Sequence, residues 1–206
     1  NPSSSALYDH ELATANDQAV ASLFEAEGAA TAHGVDALRT MVVERDDLGT
    51  VHTRVQQLVG NVPVWGGEAI VHADLARNAS QVTDNFVSDV AVETQPSIDQ
   101  ADAVERAILA AKLDWSLLTA DPLSELWVLR QNGVDHLVWK VQLHSVLGGL
   151  AVSAPVVFIG AHGGEVIWQF ENLQTAACSG TTNYYGAVAL DCYTDGTSYY
   201  LENTTD

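Results

Sequence analysis

The sequence predicts an α+β protein of two small units, each an antiparallel sheet with one helix, followed by a β-hairpin tail. A helical pattern followed by alternating strand patterns occurs twice, a polar stretch separates the two occurrences, and glycine-marked turns recur between the strands. The predicted boundaries are a flexible amino terminus at 1–15, a first unit at 16–92, a second unit at 97–173 and a tail at 174–206.

The first unit begins with a predicted helix from residue 16 to about residue 32. Val20, Leu23 and Phe24 lie on one face of it at helical spacing. Beyond Gly34 the pattern changes to runs of β-branched residues, in which RDDLG marks a turn between two strands and GNVPVWGG leads into a third. Residues 35–90 are therefore predicted to form a curled antiparallel sheet.

Pro63 and the pair Gly66 and Gly67 mark an irregularity in the third strand. Proline cannot donate to a ladder and fits a bend or an edge, while two glycines allow a bulge or the close approach of another backbone. We expect a positive φ at Gly66 and a corner on which folding of the first sheet depends.

The second unit opens with a predicted helix over IDQADAVERAILAAKL. Ser97 with Gln100 three positions on is typical of a capping box. The apolar stripe of the helix is formed by Ala101, Val104, Ile108 and Ala111. Two strands then flank Asn132-Gly133, a strong hairpin signal, and two more flank AHGG, so the helix is expected to lie across a four-stranded sheet.

The net charge of −19 and the pI near 4.3 argue against nucleic acid and membranes as partners, because phosphates and anionic lipids would repel the chain. An even acidic coat is typical of solubility, and an electropositive protein partner is the sharper alternative. The sequence has no apolar run of about 18 residues, and its start lacks the regions of a signal peptide. We therefore expect a soluble chain from which any signal has been removed.

Two cysteines, Cys178 and Cys192, flank the segment SGTTNYYGAVALD. A disulfide across a loop of this size contributes about 3 kcal/mol and is typical of exported proteins. The alternative is two buried free thiols in a cytosolic protein.

The catalytic motifs are incomplete. His10 and Glu11 begin a zinc-protease helix motif, but Thr14 stands where the second histidine is required. The other histidines show no short-spaced pairing and are interpreted as strand or surface residues: His33, His52, His72, His136, His144 and His162. Neither a nucleophile with a nearby base nor a phosphate-binding glycine loop is present. We predict no catalytic residue, no metal and no other cofactor in this chain.

The segment DDLGTVHTRVQQLVGNVPVWGGEAIVH resembles the propeptide motif of the fungalysin and thermolysin families. In that motif a strand with Arg-x-x-Gln is followed by Gly-x-Pro-Val and a glycine corner. The matching positions are Arg54, Gln56, Gln57, Gly60, Val62, Pro63, Val64, Trp65, Gly66, Gly67 and Glu68.

The second unit is similar to the PepSY domain of the same precursors, which implies a cystatin-like fold. The helix ADAVERAILAA, the strand HLVWKVQL and the hairpin VVFIGAHGGEVIWQFENLQTA carry this likeness, although many relatives have an aspartate at the position of Gly160. The tail resembles the first β-hairpins of a mature thermolysin-like protease, including the run from Tyr199 to Thr205.

The resemblance implies a secreted or periplasmic prosegment that acts as intramolecular chaperone and inhibitor of its own mature catalytic domain. Zinc and calcium would belong to that domain, whose ligands would lie beyond Asp206. The expected processing junction consists of Leu173, Gln174, Thr175, Ala176, Ala177 and Cys178. The segment ENLQTAACSG is small and polar and is expected to be a flexible run, which a protease cleft can bind in extended form. Leu173 would fill a pocket of the protease, with the cut between about Gln174 and Ser179, and a plain linker is the alternative.

Two other functions compete with the prosegment hypothesis. One is a freestanding protease inhibitor or binding module with propeptide architecture, and the other is one part of an active protease precursor. A His-Glu-x-x-His motif encoded beyond Asp206 would favour the precursor hypotheses over the freestanding one.

Overall fold

The computed structural model describes residues 13–21, 37–74, 79–147, 151–182, 186–194 and 199–201. These residues form two α-helices, one 3₁₀ turn and thirteen β-strands, which confirms the mixed α and β class. The chain divides into two compact units, one from the described parts of 1–95 and 126–137, the other from those of 96–125 and 138–206. Among the described helices, none is long and apolar enough to cross a membrane.

The sheet of the first unit is mostly antiparallel. Its strands β1 (Ala37–Arg45), β2 (Val51–Val59), β3 (Val62–Asp74) and β4 (Ala79–Asp84) pair as antiparallel neighbours in that order. The strand β5 (Leu123–Gln131) pairs in parallel with β3 through Val64 and Val128, the latter within the first unit, so the prediction of a wholly antiparallel sheet is wrong at this pair. The predicted RDDLG turn joins β1 to β2.

The core of the first unit lies between the sheet and helix α1 (residues 13–21). Val55, Ala69 and Val71 of the sheet pack against Ala19 of α1. Ala15 and Ala19 are the buried residues of the described helix, and Val20, which was predicted to lie on its apolar face, is half-buried. The predicted Leu23 and Phe24 lie outside the described residues.

The hairpin at Asn132-Gly133 is confirmed. It joins β5 to β6 (Val134–Gln142), and both central residues have positive φ, 52° at Asn132 and 79° at Gly133. Positive φ at both positions suits the right-handed twist of paired strands. The tip of this hairpin, 126–137, belongs to the first unit, and the rest belongs to the second.

The second unit is built on helix α2 (Gln100–Ala110). The strands that follow β6 are β7 (Ser145–Leu147), β8 (Ala151–Ser153), β9 (Pro155–Gly160) and β10 (Val166–Glu171). Val104 and Ile108 of α2 pack with Val141, Val157 and Ile159 of β6 and β9 in one buried cluster. The helix therefore covers one face of these strands. Of the predicted apolar stripe, Val104 and Ile108 are buried, whereas the prediction of Ala101 is wrong because it is exposed.

The predicted capping box at the start of α2 is wrong. Asp99 is the N-cap, and its carboxylate accepts a hydrogen bond from the Asp102 backbone N–H at 2.9 Å. The backbone N–H of Ser97 instead donates to the Ala161 carbonyl, which ties the approach to the helix to the β9–β10 turn. Aspartate is as good an N-cap as serine, so Asp99 satisfies the first turn of α2 without Ser97.

The tail forms a three-stranded antiparallel sheet of β11 (Gln174–Thr182), β12 (Gly186–Thr194) and β13 (Tyr199–Leu201). The junction residues from Gln174 to Cys178 thus lie in a paired strand, and the expectation of an unpaired flexible run there is wrong. The register sets Cys178 across from Leu190 and Cys192 across from Ala176. A disulfide between Cys178 and Cys192 stays a prediction.

Candidate functional site

The residues of the sequence motif converge on a corner in the β2–β3 pair. Gln56 pairs with Glu68 and Leu58 pairs with Pro63, so a single residue of β2, Gln57, faces residues 64–67 of β3. Such an irregularity removes regular ladder partners and leaves backbone groups that need others. Side chains of the motif itself supply those partners.

Gln56 is the first of two buried amides at this corner, with 1% of its surface exposed. Its Nε2 lies 2.7 Å from the Val64 carbonyl, 2.8 Å from the Gly67 carbonyl and 3.2 Å from the Gln57 carbonyl. The two amide hydrogens therefore serve three carbonyl oxygens around the kink. This side chain fixes the path of β3 from Val64 to Gly67.

Gln57, which is fully buried, ties β2 to the segment after β4. Its Nε2 donates to the Val87 carbonyl, and its Oε1 accepts from the Val87 N–H, both at 2.9 Å. One side-chain amide thus replaces a complete backbone pair. A Cβ at Gly67 would lie 2.6 Å from the Gln57 Oε1, so glycine at 67 makes room for this amide.

Gly66 is required for its conformation and not for space. Its φ is +76°, as expected, and the nearest neighbour of an added Cβ would be Asn85 Nδ2 at 3.9 Å. The Asn85 side chain donates to the Gly66 carbonyl, and the Asn85 backbone N–H donates to the Glu68 carbonyl, both at 2.9 Å. The segment after β4 is thereby fastened to both sides of the corner.

Gly60 and Asn61 form the turn between β2 and β3, with φ of 52° and 72°. A Cβ at Gly60 would come within 2.8 Å of Thr94 Oγ1, so this glycine also permits a close approach. Pro63 stands beside the turn at the start of β3, opposite Leu58, where a missing N–H is tolerated.

Two motif residues lie at the surface of the corner. The ring of Trp65 meets that of Trp127 edge to face, with centroids 5.4 Å apart. Arg54 forms an exposed ion pair with Glu68 at 3.5 Å, a contact worth at most about 1 kcal/mol. The motif is thus chiefly an internal scaffold, and a contact of Trp65 with a partner stays a prediction.

A pair of histidines in the first sheet was not predicted from the sequence. His52 and His72 are direct cross-strand partners, and their Nδ1 atoms lie 2.8 Å apart. Asp46 lies 3.1 Å from His52 Nε2 and also accepts from the Leu48 and Thr50 backbone N–H groups. The pKa of Asp46 is lowered chiefly by its hydrogen bond with His52. The ionised Asp46 carboxylate therefore stabilises the fold above the ordinary carboxyl pKa, and this stabilisation is lost as the pH falls.

A half-buried ion pair of the first unit was also not predicted from the sequence. Arg130 donates from Nε and Nη2 to the two oxygens of Asp135 at 2.7 and 2.9 Å, and from Nη1 to the Ser88 carbonyl at 2.9 Å. Asp135 accepts from the Ala91 N–H as well. The Arg130 hydrogen bonds are the main reason that the pKa of Asp135 is lowered. This pair holds the segment 88–91 to the hairpin tip.

Gly160, which stands where many relatives have an aspartate, lies next to the Glu165 side chain. A Cβ at this position would lie 2.8 Å from the carboxyl group of Glu165, and one at Gly163 would also collide with it. A carboxylate therefore occupies the space into which a side chain at position 160 would project, although it comes from a different residue.

No group of three His, Cys, Asp or Glu side chains among the described residues is arranged to hold a metal ion. Thr14 lies exposed in α1, while His10 and Glu11 are outside the described residues. Of the junction residues, Leu173 is half-buried and directly precedes β11.

Residues 36–86 match the model of the Fungalysin/Thermolysin Propeptide Motif. The matched range runs from the start of β1 to the segment after β4, so it includes the corner and the residues fastened to it. The corner described above therefore lies within the range that matches this family model.

The chain as a whole is similar to metalloproteases. It is 24% identical over 166 residues to a bacillolysin from Brevibacillus brevis, covering 76% of this chain and 31% of that protein. It is 25% identical over 177 residues to a transglutaminase-activating metalloprotease from Streptomyces mobaraensis, covering 84% of this chain and 23% of that protein. The chain thus spans less than a third of the length of either relative.

We predict that substitutions at Gly66 rank by their tolerance of positive φ. Gly66→Val should lower the free energy of unfolding by about 1–3 kcal/mol, and Gly66→Asn by less, because asparagine adopts this conformation more readily. Urea unfolding measures the difference in free energy of unfolding between the variants, and hydrogen exchange of β2 and β3 reports the stability of the first unit. Equal stability of the Val and Asn variants would show that φ does not limit this position.

Proposed function

We propose that this chain is the prosegment of a secreted thermolysin-like metalloprotease, and that it assists folding of the catalytic domain and inhibits it. The observation that carries the proposal is the propeptide motif at 36–86, built around two buried glutamines. The two metalloprotease relatives support it, because their similarity extends over most of this chain.

The architecture is suited to ordering a partner. Among the described strands, β1 pairs only with β2, so its outer edge offers backbone groups for an added strand. A protease domain that folds through non-local contacts gains from a preformed surface, since loop-closure entropy slows its own nucleation. A folded prosegment bound to the native protease also stabilises it by mass action.

The metal chemistry belongs to the partner in this proposal. Zinc, with calcium as a structural ion, would be held by the catalytic domain, and this chain would bind neither. The acidic surface, with a net charge of −19, suits an electropositive face on that domain.

The segment Leu173–Cys178 is the proposed processing junction. Since protease clefts bind extended segments through main-chain hydrogen bonds, β11 would have to leave its pairing with β12 before cleavage. Pairing of β11 in the uncleaved chain would then delay processing until the partner is folded.

We predict that residues 1–206 supplied in trans inhibit the mature protease encoded with this chain, with an apparent Kd at or below the micromolar range. The measurement is a peptidase assay with increasing prosegment. Gln57→Leu should weaken inhibition by disturbing the motif, whereas Gln81→Leu, an exposed change in the same unit, should not. Absence of inhibition, together with no gain in refolding yield, would reject the proposal.

We also predict cleavage between about Gln174 and Ser179 when the chain is expressed in line with its catalytic domain. Mass spectrometry of the new amino termini identifies the bond. An inactive catalytic variant is the control, since it should leave the chain intact. Cleavage within 97–170 would show that the segment Leu173–Cys178 is not the processing junction.

A further inference from the structure

The histidine pair of the first sheet has the geometry of an acid-sensitive contact. His52 on β2 and His72 on β3 lie on the sheet face opposite the core, because their neighbours Val51, Thr53 and Val71 are buried. The rings meet nearly at right angles, with centroids 5.0 Å apart. The His52 side chain is one-third exposed and borders an open depression of about 450 Å³, so water and protons reach it.

The 2.8 Å separation of the two Nδ1 atoms has room for one hydrogen. Whichever imidazole donates, the other must present a bare nitrogen. Asp46 faces the Nε2 of His52, which therefore carries a hydrogen toward that carboxylate. The hydrogen bond between the two Nδ1 atoms can therefore form when the pair is neutral or carries one positive charge. When both imidazoles are protonated, each Nδ1 carries a hydrogen and the two N–H groups repel each other.

Other charged groups surround the pair. Glu44 on β1 is the register partner of His52, and Asp46 lies in the β1–β2 turn. Arg54 on β2 and Asp74 on β3 are two residues from the histidines on the same face, and Arg54 is paired with Glu68. On β4 the neighbours of His72 are uncharged: Gln81 is its register partner, and Thr83 Oγ1 lies 3.5 Å from its Nε2.

We propose that His52, His72 and Asp46 form an acid-sensitive latch that joins the β1–β2 turn to β3 and opens when both imidazoles are protonated. Imidazoles take up protons between about pH 5 and 8. In the unfolded chain each of the two neutral imidazoles can take up one added proton, whereas the closed latch accommodates one added proton at most. Acid therefore favours the open state. Because the latch lies within the propeptide motif, acidification would loosen the motif.

The test is hydrogen exchange of β2 and β3 in the full 206-residue chain between pH 8 and 5, with EDTA present to exclude metal binding. Exchange is normalised to the intrinsic rate at each pH, so that the opening equilibrium is compared. We expect the opening constant to rise about tenfold for each pH unit by which the pH falls, in the range where the open state holds one more proton than the closed state. Exchange of α2 serves as the internal reference.

His72→Gln and His52→Gln should each abolish this pH dependence, whereas His162→Gln, an exposed change in the second unit, should retain it. The ring NMR signals of the histidines in the unmodified chain provide a second readout, since those of His52 and His72 should change together as the pH is lowered. An unchanged slope in His72→Gln, or His52 and His72 signals that change independently of each other, would overturn the proposal. These measurements involve no protease, so their failure would leave the proposed function standing.

Discussion

The first unit depends on two buried amides next to each other in β2. Adjacent residues of a strand point to opposite faces, so Gln56 and Gln57 serve different sides of the same kink. Gln56 binds the carbonyls of Val64 and Gly67 on β3, while Gln57 binds both backbone groups of Val87. A buried backbone group without a partner costs about 1–3 kcal/mol, so an apolar residue at either position would destabilise the corner.

The glycines of the motif follow from these amides. Gly67 leaves space for the Gln57 side chain, and Gly66 supplies the positive φ that turns β3. Asn85 then fastens the next segment to the carbonyl of Gly66. The glutamines and glycines of the sequence pattern are therefore the residues that this one hydrogen-bonded corner requires. The corner would also determine the shape of the proposed partner surface.

Much of the fold could be predicted from local patterns. Alternation located β1, β2, β3 and the hairpin at Asn132-Gly133, and the paired glycines indicated the corner, because these signals act between near neighbours in the chain. The partners of Gln57 could not be predicted, since Val87 lies 30 positions away. The His52–His72 pair was missed because the two residues lie 20 positions apart, and their register depends on the irregularity between Gln56 and Leu58 as well as on the Gly60-Asn61 turn. At the junction, small polar residues indicated a flexible run, yet pairing with β12 made it a strand.

Hydrogen exchange at the Val87 amide tests the role of Gln57 most directly, because that N–H donates to the Gln57 side chain. The account predicts that Gln57→Leu, a change of similar volume, removes protection at Val87 and lowers protection along β2 and β3. Protection in α2 should be unchanged, and Gln81→Leu should have no effect. A Val87 amide that stays as protected in Gln57→Leu as in the unmodified chain would contradict the claim that this buried amide holds the corner of the first unit together.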